Sequence, residues 1–228
     1  MTFEPLEQQT VSATDLVFRM VYDAVISLRL PPGTKVSETE IARQLDVSRQ
    51  PVRDAFFRLS NLGFLSIRPQ RATLITRISE EAVLNAVFTR IALEVECLRS
   101  TIQRLTDSDI AALRAHLALQ KKALNQTDAT AFHQLDDKFH GLLCEISGHA
   151  HAWNLIQEHK AHMDRIRYLT LSAERQSEVL EEHTSLVESI AARNLAQAET
   201  YLRAHLGAIR GVLEEIRDMY PDYFEPTS

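Results

Sequence analysis

Apolar positions along this chain follow two regimes, and the change falls near residue 78. Before it, short elements alternate with turn residues. Residues 37–45 read as a helix opened by a capping box, with Ser37 accepting from the chain three residues on and Glu40 reaching back. Asp46-Val47 makes a tight turn, and a second helix begins at Ser48 with Pro51 in its first turn, where a missing N–H costs nothing. Its stripe of Ala55, Phe56, Leu59 and Leu62 faces inward, and Gly63 ends it. Residues 64–68 and 72–76 read as strands around the turn Pro69-Gln70-Arg71. Beyond Ile78 only the helical period remains. Ser79-Glu80-Glu81 opens one helix and Thr106 with Asp109 caps another that runs to about 125; further helices cover about 127–146, 151–171, 177–193 and 194–219. The expected fold is mainly α: a winged helix-turn-helix with a β-hairpin wing over 1–78 (1–14 a polar tail), then an all-α antiparallel bundle of about six helices over 79–228.

The second helix of the first domain carries chemistry suited to double-stranded operator DNA. Ser48, Arg49, Gln50 and Arg53 crowd its N-terminal end, the part that enters a major groove. Arginine pairs bidentately with guanine and glutamine with adenine, while a serine at a helix N-terminus suits a phosphate. Arg68, Gln70 and Arg71 sit on the wing, placed for the backbone or the minor groove.

Charge sharpens this division. The formal net charge is −6, yet residues 15–78 hold ten Arg and Lys against six Asp and Glu, a local +4 that leaves −10 for the rest. A basic head on an acidic body is the footprint of a nucleic-acid module attached to something else. No apolar run is long enough to span a membrane, and the first residues lack the basic start and apolar core of a signal peptide. Cys97 and Cys144 lie in apolar helical contexts, which suits buried free thiols in a cytoplasmic protein.

All nine histidines fall after residue 78. His116, His133, His149, His151 and His159 read as surface residues. Asp136 and His140 share one helix face at i, i+4, and His183 and His205 sit on helices of apolar period. A carboxylate and three imidazoles converging inside a bundle would bind a divalent ion. Spacing alone leaves open the alternative of hydrogen-bonded core histidines.

Pro31-Pro32-Gly33, residues 37–45 and Val47-Ser48-Arg49-Gln50-Pro51-Val52-Arg53-Asp54-Ala55 closely resemble the winged-helix domain of the GntR family of bacterial transcription regulators. The resemblance makes Arg49 and Arg53 the main DNA-contacting arginines and Ser48 a phosphate ligand. The glycine frequent at the family's wing tip is replaced here by Gln70-Arg71-Ala72. Residues 79 to about 218 resemble the FCD effector domain of the FadR-type branch. Leu135-Asp136-Asp137-Lys138-Phe139-His140 matches its Asp-x-x-x-His signature, and Glu182-His183 and His205-Leu206 match its later ligand histidines. The acyl-CoA-binding members lack this set, so the resemblance implies a metal site rather than a fatty-acyl pocket.

Asp136, His140, His183 and His205 contain no thiolate, which suits zinc, nickel or manganese. Open coordination positions would take a small carboxylate effector, a sugar acid or a dicarboxylate. Arg90 resembles the family's pocket arginine, and Arg167 stands ready for the same task. Arg165 reads more simply as a solvated salt bridge, and Trp153 and Tyr168 as core. The expected protein is a homodimeric, ligand-responsive regulator without enzymatic activity. Its rivals are a metal sensor and, less favoured for want of a general base, a metal-dependent enzyme fused to a DNA-binding domain.

Overall fold

The computed structural model describes residues 12–67, 72–170 and 172–226. They divide into two compact units: the described part of Met1–Ile78 together with the chain end after Met219, and Ser79–Met219.

In the first unit α1 (Ala13–Ile26) buries Val17, Val21 and Val25, an every-fourth-residue stripe that the pattern reading leaves unassigned. Then come β1 (Lys35–Val36), α2 (Glu38–Gln44), α3 (Arg49–Asn61), β2 (Leu65–Ser66) and β3 (Thr73–Ile75). The sheet is antiparallel in the order β1-β3-β2, with Val36 opposite Thr73 and Leu65 opposite Ile75. Two strands were expected; the two-residue β1 is too short to show a period. Arg68, Pro69, Gln70 and Arg71, the expected wing tip, lie outside the described residues.

The turn between α2 and α3 places Asp46 at φ 51°, and Val47 N–H returns to the Ala42 carbonyl at 3.0 Å. Gly63, at φ 79°, lets Phe64 N–H reach the Leu59 carbonyl at 2.9 Å and so closes α3. The expected capping box at Ser37 does not form. Ser37 makes no side-chain cap bond, and Glu40 instead accepts from Arg43 at 2.7 Å and Gln44 at 2.8 Å. A guanidinium within one turn outcompetes a neutral N–H for that carboxylate.

The chain end also departs from expectation. Pro221–Tyr223 forms a 3-10 turn, Ile78 N–H donates to the Tyr223 carbonyl at 2.7 Å, and Glu225 N–H donates to the Ile78 carbonyl at 3.0 Å. Phe224 is buried there. Residues 220–226 thus belong to the first unit, not to a second domain running to 228.

The second unit holds α4 (Glu80–Arg104), α5 (Asp107–Asn125), α6 (Ala129–Ile146), α7 (Ala150–Leu169), α8 (Ala173–Ala191), α9 (Leu195–Gly207) and α10 (Ile209–Met219). These are seven described helices where about six were expected. The expected last helix breaks at Ala208, across which the apolar pattern runs on. Thr106 and Asp109 complete a capping box, with Asp109 N–H donating to the Thr106 hydroxyl at 3.2 Å and Thr106 N–H to the Asp109 carboxylate at 2.9 Å.

Val95, Leu98, Phe139, Leu186, Ile190 and Leu202 form the centre of the bundle. Phe139 is fully buried and stacks on the His183 ring, centroids 4.2 Å apart. Core packing and site geometry therefore share one residue. Phe139→Ala should cost about 3–5 kcal/mol of stability, read as a lower denaturant midpoint. A change under 1 kcal/mol would show that the ring does not fill the centre.

Candidate metal centre and nucleic-acid interface

Ser48 caps α3 from an extended backbone and makes no side-chain cap bond. The Arg49 and Arg53 side chains are 59% and 56% exposed, and each reaches the same Glu38 oxygen at 3.4 Å. Gln50 donates to Asp54 at 2.9 Å. Pairs this exposed and this long contribute little and exchange readily for phosphate or base edges. Arg58, one turn later, is spent within the unit: it pairs with Asp15 at 2.7 Å and covers the Phe18 ring at 4.0 Å.

Inside the second unit α6 contributes Asp136 and His140, α8 contributes His183 and α9 contributes His205. The four potential ligand atoms lie within 4.8 Å of one another. His140 Nε2 is 3.1 Å from His205 Nε2, which is 3.3 Å from His183 Nε2; His183 Nε2 is 3.6 Å from Asp136 Oδ1. The opposite nitrogen of each ring is anchored: His140 Nδ1 on Glu94 at 2.5 Å, His183 Nδ1 on Gln120 at 3.0 Å and His205 Nδ1 on Glu182 at 2.6 Å. Each anchor accepts the Nδ1 proton and so leaves Nε2 as a bare lone pair. Three lone pairs facing one another repel unless a cation lies between them. Asp136 Oδ1 is buried with no hydrogen-bond partner, while Oδ2 is held by Arg167. One free carboxylate oxygen and three lone pairs fit a divalent cation.

Electrostatics keep the donors in their binding forms. Burial works to raise the Asp136 carboxyl, but the Arg167 guanidinium outweighs it and holds it well below the usual carboxylate range. Burial lowers His183 well below an ordinary imidazole and also lowers His205, so both rings are neutral. Burial likewise opposes ionisation of Glu94, yet Arg90 and His140 bring it down to about 2.

A cavity of about 290 Å3 opens beside the cluster, with Asp136 and His205 in its wall. Arg90, expected as an effector ligand, lines it. It is 3% exposed, pairs with Glu94 at 2.5 Å, and keeps Nη2 buried without a hydrogen-bond partner. Arg167 lines it too, but its terminal nitrogens engage Asp136, Asp137 and Asp164.

Three surface expectations are overturned. His116 and His133 are buried, at 9% and 6%, His133 against the Tyr168 ring. Arg165 is fully buried rather than solvated, and burial lowers it to about 10. His133 also nears Asp137 and Asp164 in a second donor group, but Lys160 Nζ already bridges those two carboxylates, at 2.8 Å from Asp137. Cys97 and Cys144 are buried free thiols, and Trp153 packs beside them. The anchors Glu94, Gln120 and Glu182 had no sequence signal, because each meets a histidine on another helix.

A winged helix-turn-helix followed by an all-helical bundle with a metal-ready centre is the build of a bacterial transcription regulator. The model described as "Bacterial regulatory proteins, gntR family" matches residues 14–75, and the FCD domain model matches residues 85–208. The chain is 32% identical over 225 residues to the HTH-type transcriptional repressor RspR of Escherichia coli K12, covering 98% of this chain and 99% of that one. It is 30% identical over 209 residues to an HTH-type transcriptional regulator of Streptomyces ambofaciens, covering 91% and 88%. Among solved structures, E. coli McbR/YncC superposes with a TM-score of 0.76 at 20% identity, covering 91% of this chain and 99% of that one, a likeness of fold. The chain belongs to the GntR family of bacterial transcription regulators and carries an FCD domain. These families and relatives are regulators, not enzymes. Among the described residues no helix is long and apolar enough to cross a membrane.

Proposed function

We propose that this regulator binds double-stranded operator DNA as a homodimer and senses a small organic acid at a divalent metal held by Asp136, His140, His183 and His205. The observation that carries the effector half is the convergence of three anchored imidazoles and one free carboxylate oxygen, of which Asp136 and His205 line a cavity. When bound, the ion supplies open coordination positions that accept a carboxylate. The chain does the rest. Glu94, Gln120 and Glu182 orient the rings, and Arg167 aims Asp136. Arg90 offers its unpartnered Nη2 to the acid's second oxygen. The donor set, nitrogen and oxygen without sulfur, fits zinc, nickel or manganese.

At the other unit, Arg49, Arg53 and Gln50 read base edges and Ser48 holds a phosphate, with Arg68, Gln70 and Arg71 serving the DNA backbone or minor groove. Twofold symmetry would set two such helices in successive major grooves of a near-palindromic site. The acid acts by favouring one arrangement of the dimer over another.

Elemental analysis of untagged protein purified without chelator tests the metal: the account expects close to one divalent ion per chain, and protein that neither carries nor takes up an ion contradicts it. The anchors give a finer test. Gln120→Leu removes no ligand but frees the His183 tautomer, and should weaken zinc binding about 10- to 100-fold in a competition titration. An unchanged zinc affinity would deny Gln120 its orienting role.

A further inference from the structure

The cavity beside the metal cluster has a chemical character of its own. Much of its wall is apolar: Phe132, Met163, Val179, Leu206, Ile209 and Val212 contribute from five different helices. The break at Ala208 matters here, because it starts the helix that supplies Ile209 and Val212.

Most polar groups in the wall are already engaged. Arg167 is spent on three carboxylates. Arg175 donates to Glu182 at 2.8 and 3.2 Å and to Glu178 at 3.0 Å. His205 Nδ1 is held by Glu182, and the Thr170 hydroxyl donates to the Arg167 carbonyl at 3.1 Å. Besides His205 Nε2 and Asp136 Oδ1, the described residues of the wall offer a ligand Arg90 Nη2, the Gln176 amide, His133 and the second Glu178 carboxylate oxygen. A sugar acid brings a hydroxyl on nearly every carbon. Each one buried without a partner lowers affinity roughly tenfold, and the wall has too few groups to meet them all.

We infer that the effector is a short α-hydroxy or α-keto acid with a compact apolar body, rather than a polyhydroxylated sugar acid. This rests on the metal–carboxylate reading above and narrows it. The carboxylate and its neighbouring oxygen face the ion and Arg90, while a branched or aromatic group fills the remaining chamber. The cavity, about 290 Å3, has room for an acid of this kind.

The test is calorimetric titration of the zinc-loaded full chain with mandelate, 2-hydroxyisocaproate, gluconate and tartrate, repeated with Val212→Asn. The inference expects at least one apolar hydroxy acid to bind tenfold or more tighter than gluconate and tartrate, since single methylenes in an apolar pocket are worth roughly 10-fold or more. Val212→Asn should shrink that preference while zinc affinity stays unchanged. Tighter binding of gluconate or tartrate overturns the apolar assignment and leaves the metal–carboxylate reading standing. Binding by none of the four, with zinc in place, overturns both.

Discussion

His183→Ala should abolish the stabilisation that zinc gives the full chain. His183 is fully buried, its Nδ1 is fixed by Gln120, and its Nε2 faces both His205 and Asp136. An ion that binds only the folded state at a hundred times its dissociation constant adds about 2.7 kcal/mol. For a chain of this size that corresponds to roughly 5–10 °C in melting temperature. The variant also loses packing on Phe139, so the quantity to compare is the zinc-induced shift within each protein, not the melting temperatures of the metal-free forms. Crowding three imidazole nitrogens together without an ion is unfavourable, and the metal-free variant gains some relief from that. Differential scanning fluorimetry with and without zinc decides it: a shift in the variant equal to that of the parent would remove His183 from the centre.

The second large effect is expected at the other end of the chain. Arg49→Ala and Arg53→Ala should each weaken operator binding by about 1–3 kcal/mol if their guanidinium groups pair with bases. In the free protein both arginines rest on the Glu38 carboxylate at 3.4 Å, a weak and half-hydrated arrangement that costs little to leave. Fluorescence anisotropy against the operator and a scrambled duplex separates the roles. A base-reading arginine loses operator affinity selectively, whereas a phosphate clamp loses both equally and lowers the salt slope by about one. Unchanged affinity in both variants, with helicity intact by circular dichroism, would move DNA reading away from the start of α3.

The recognition helix was legible because its signals are local. Pro51 at the helix start and Gly63 just past its end act through their own backbones, and the structure puts both where the pattern did. The metal ligands were half legible. Asp136 and His140 lie on one turn of α6, but nothing in spacing alone brings His183 and His205 to them; that came from resemblance. What stayed hidden depends on partners far away in sequence. Glu182 looked like a neighbour of His183, yet it serves His205 on another helix. His133 and Arg165 read as polar surface because burial of a charged side chain is set by surrounding helices. Ser37 does sit at the N-cap of α2, but the Glu40 half of its capping box failed for the opposite reason: two local partners, Arg43 and Gln44, take that carboxylate, and the pattern could not rank them.

The most direct test couples the two units in a single titration. Operator affinity of the full chain would be followed with chelator, with zinc alone, and with zinc plus each candidate acid. The account predicts that an acid changes operator affinity only when zinc is present, and that His205→Ala removes this response. An acid response of equal size in chelated protein would contradict it.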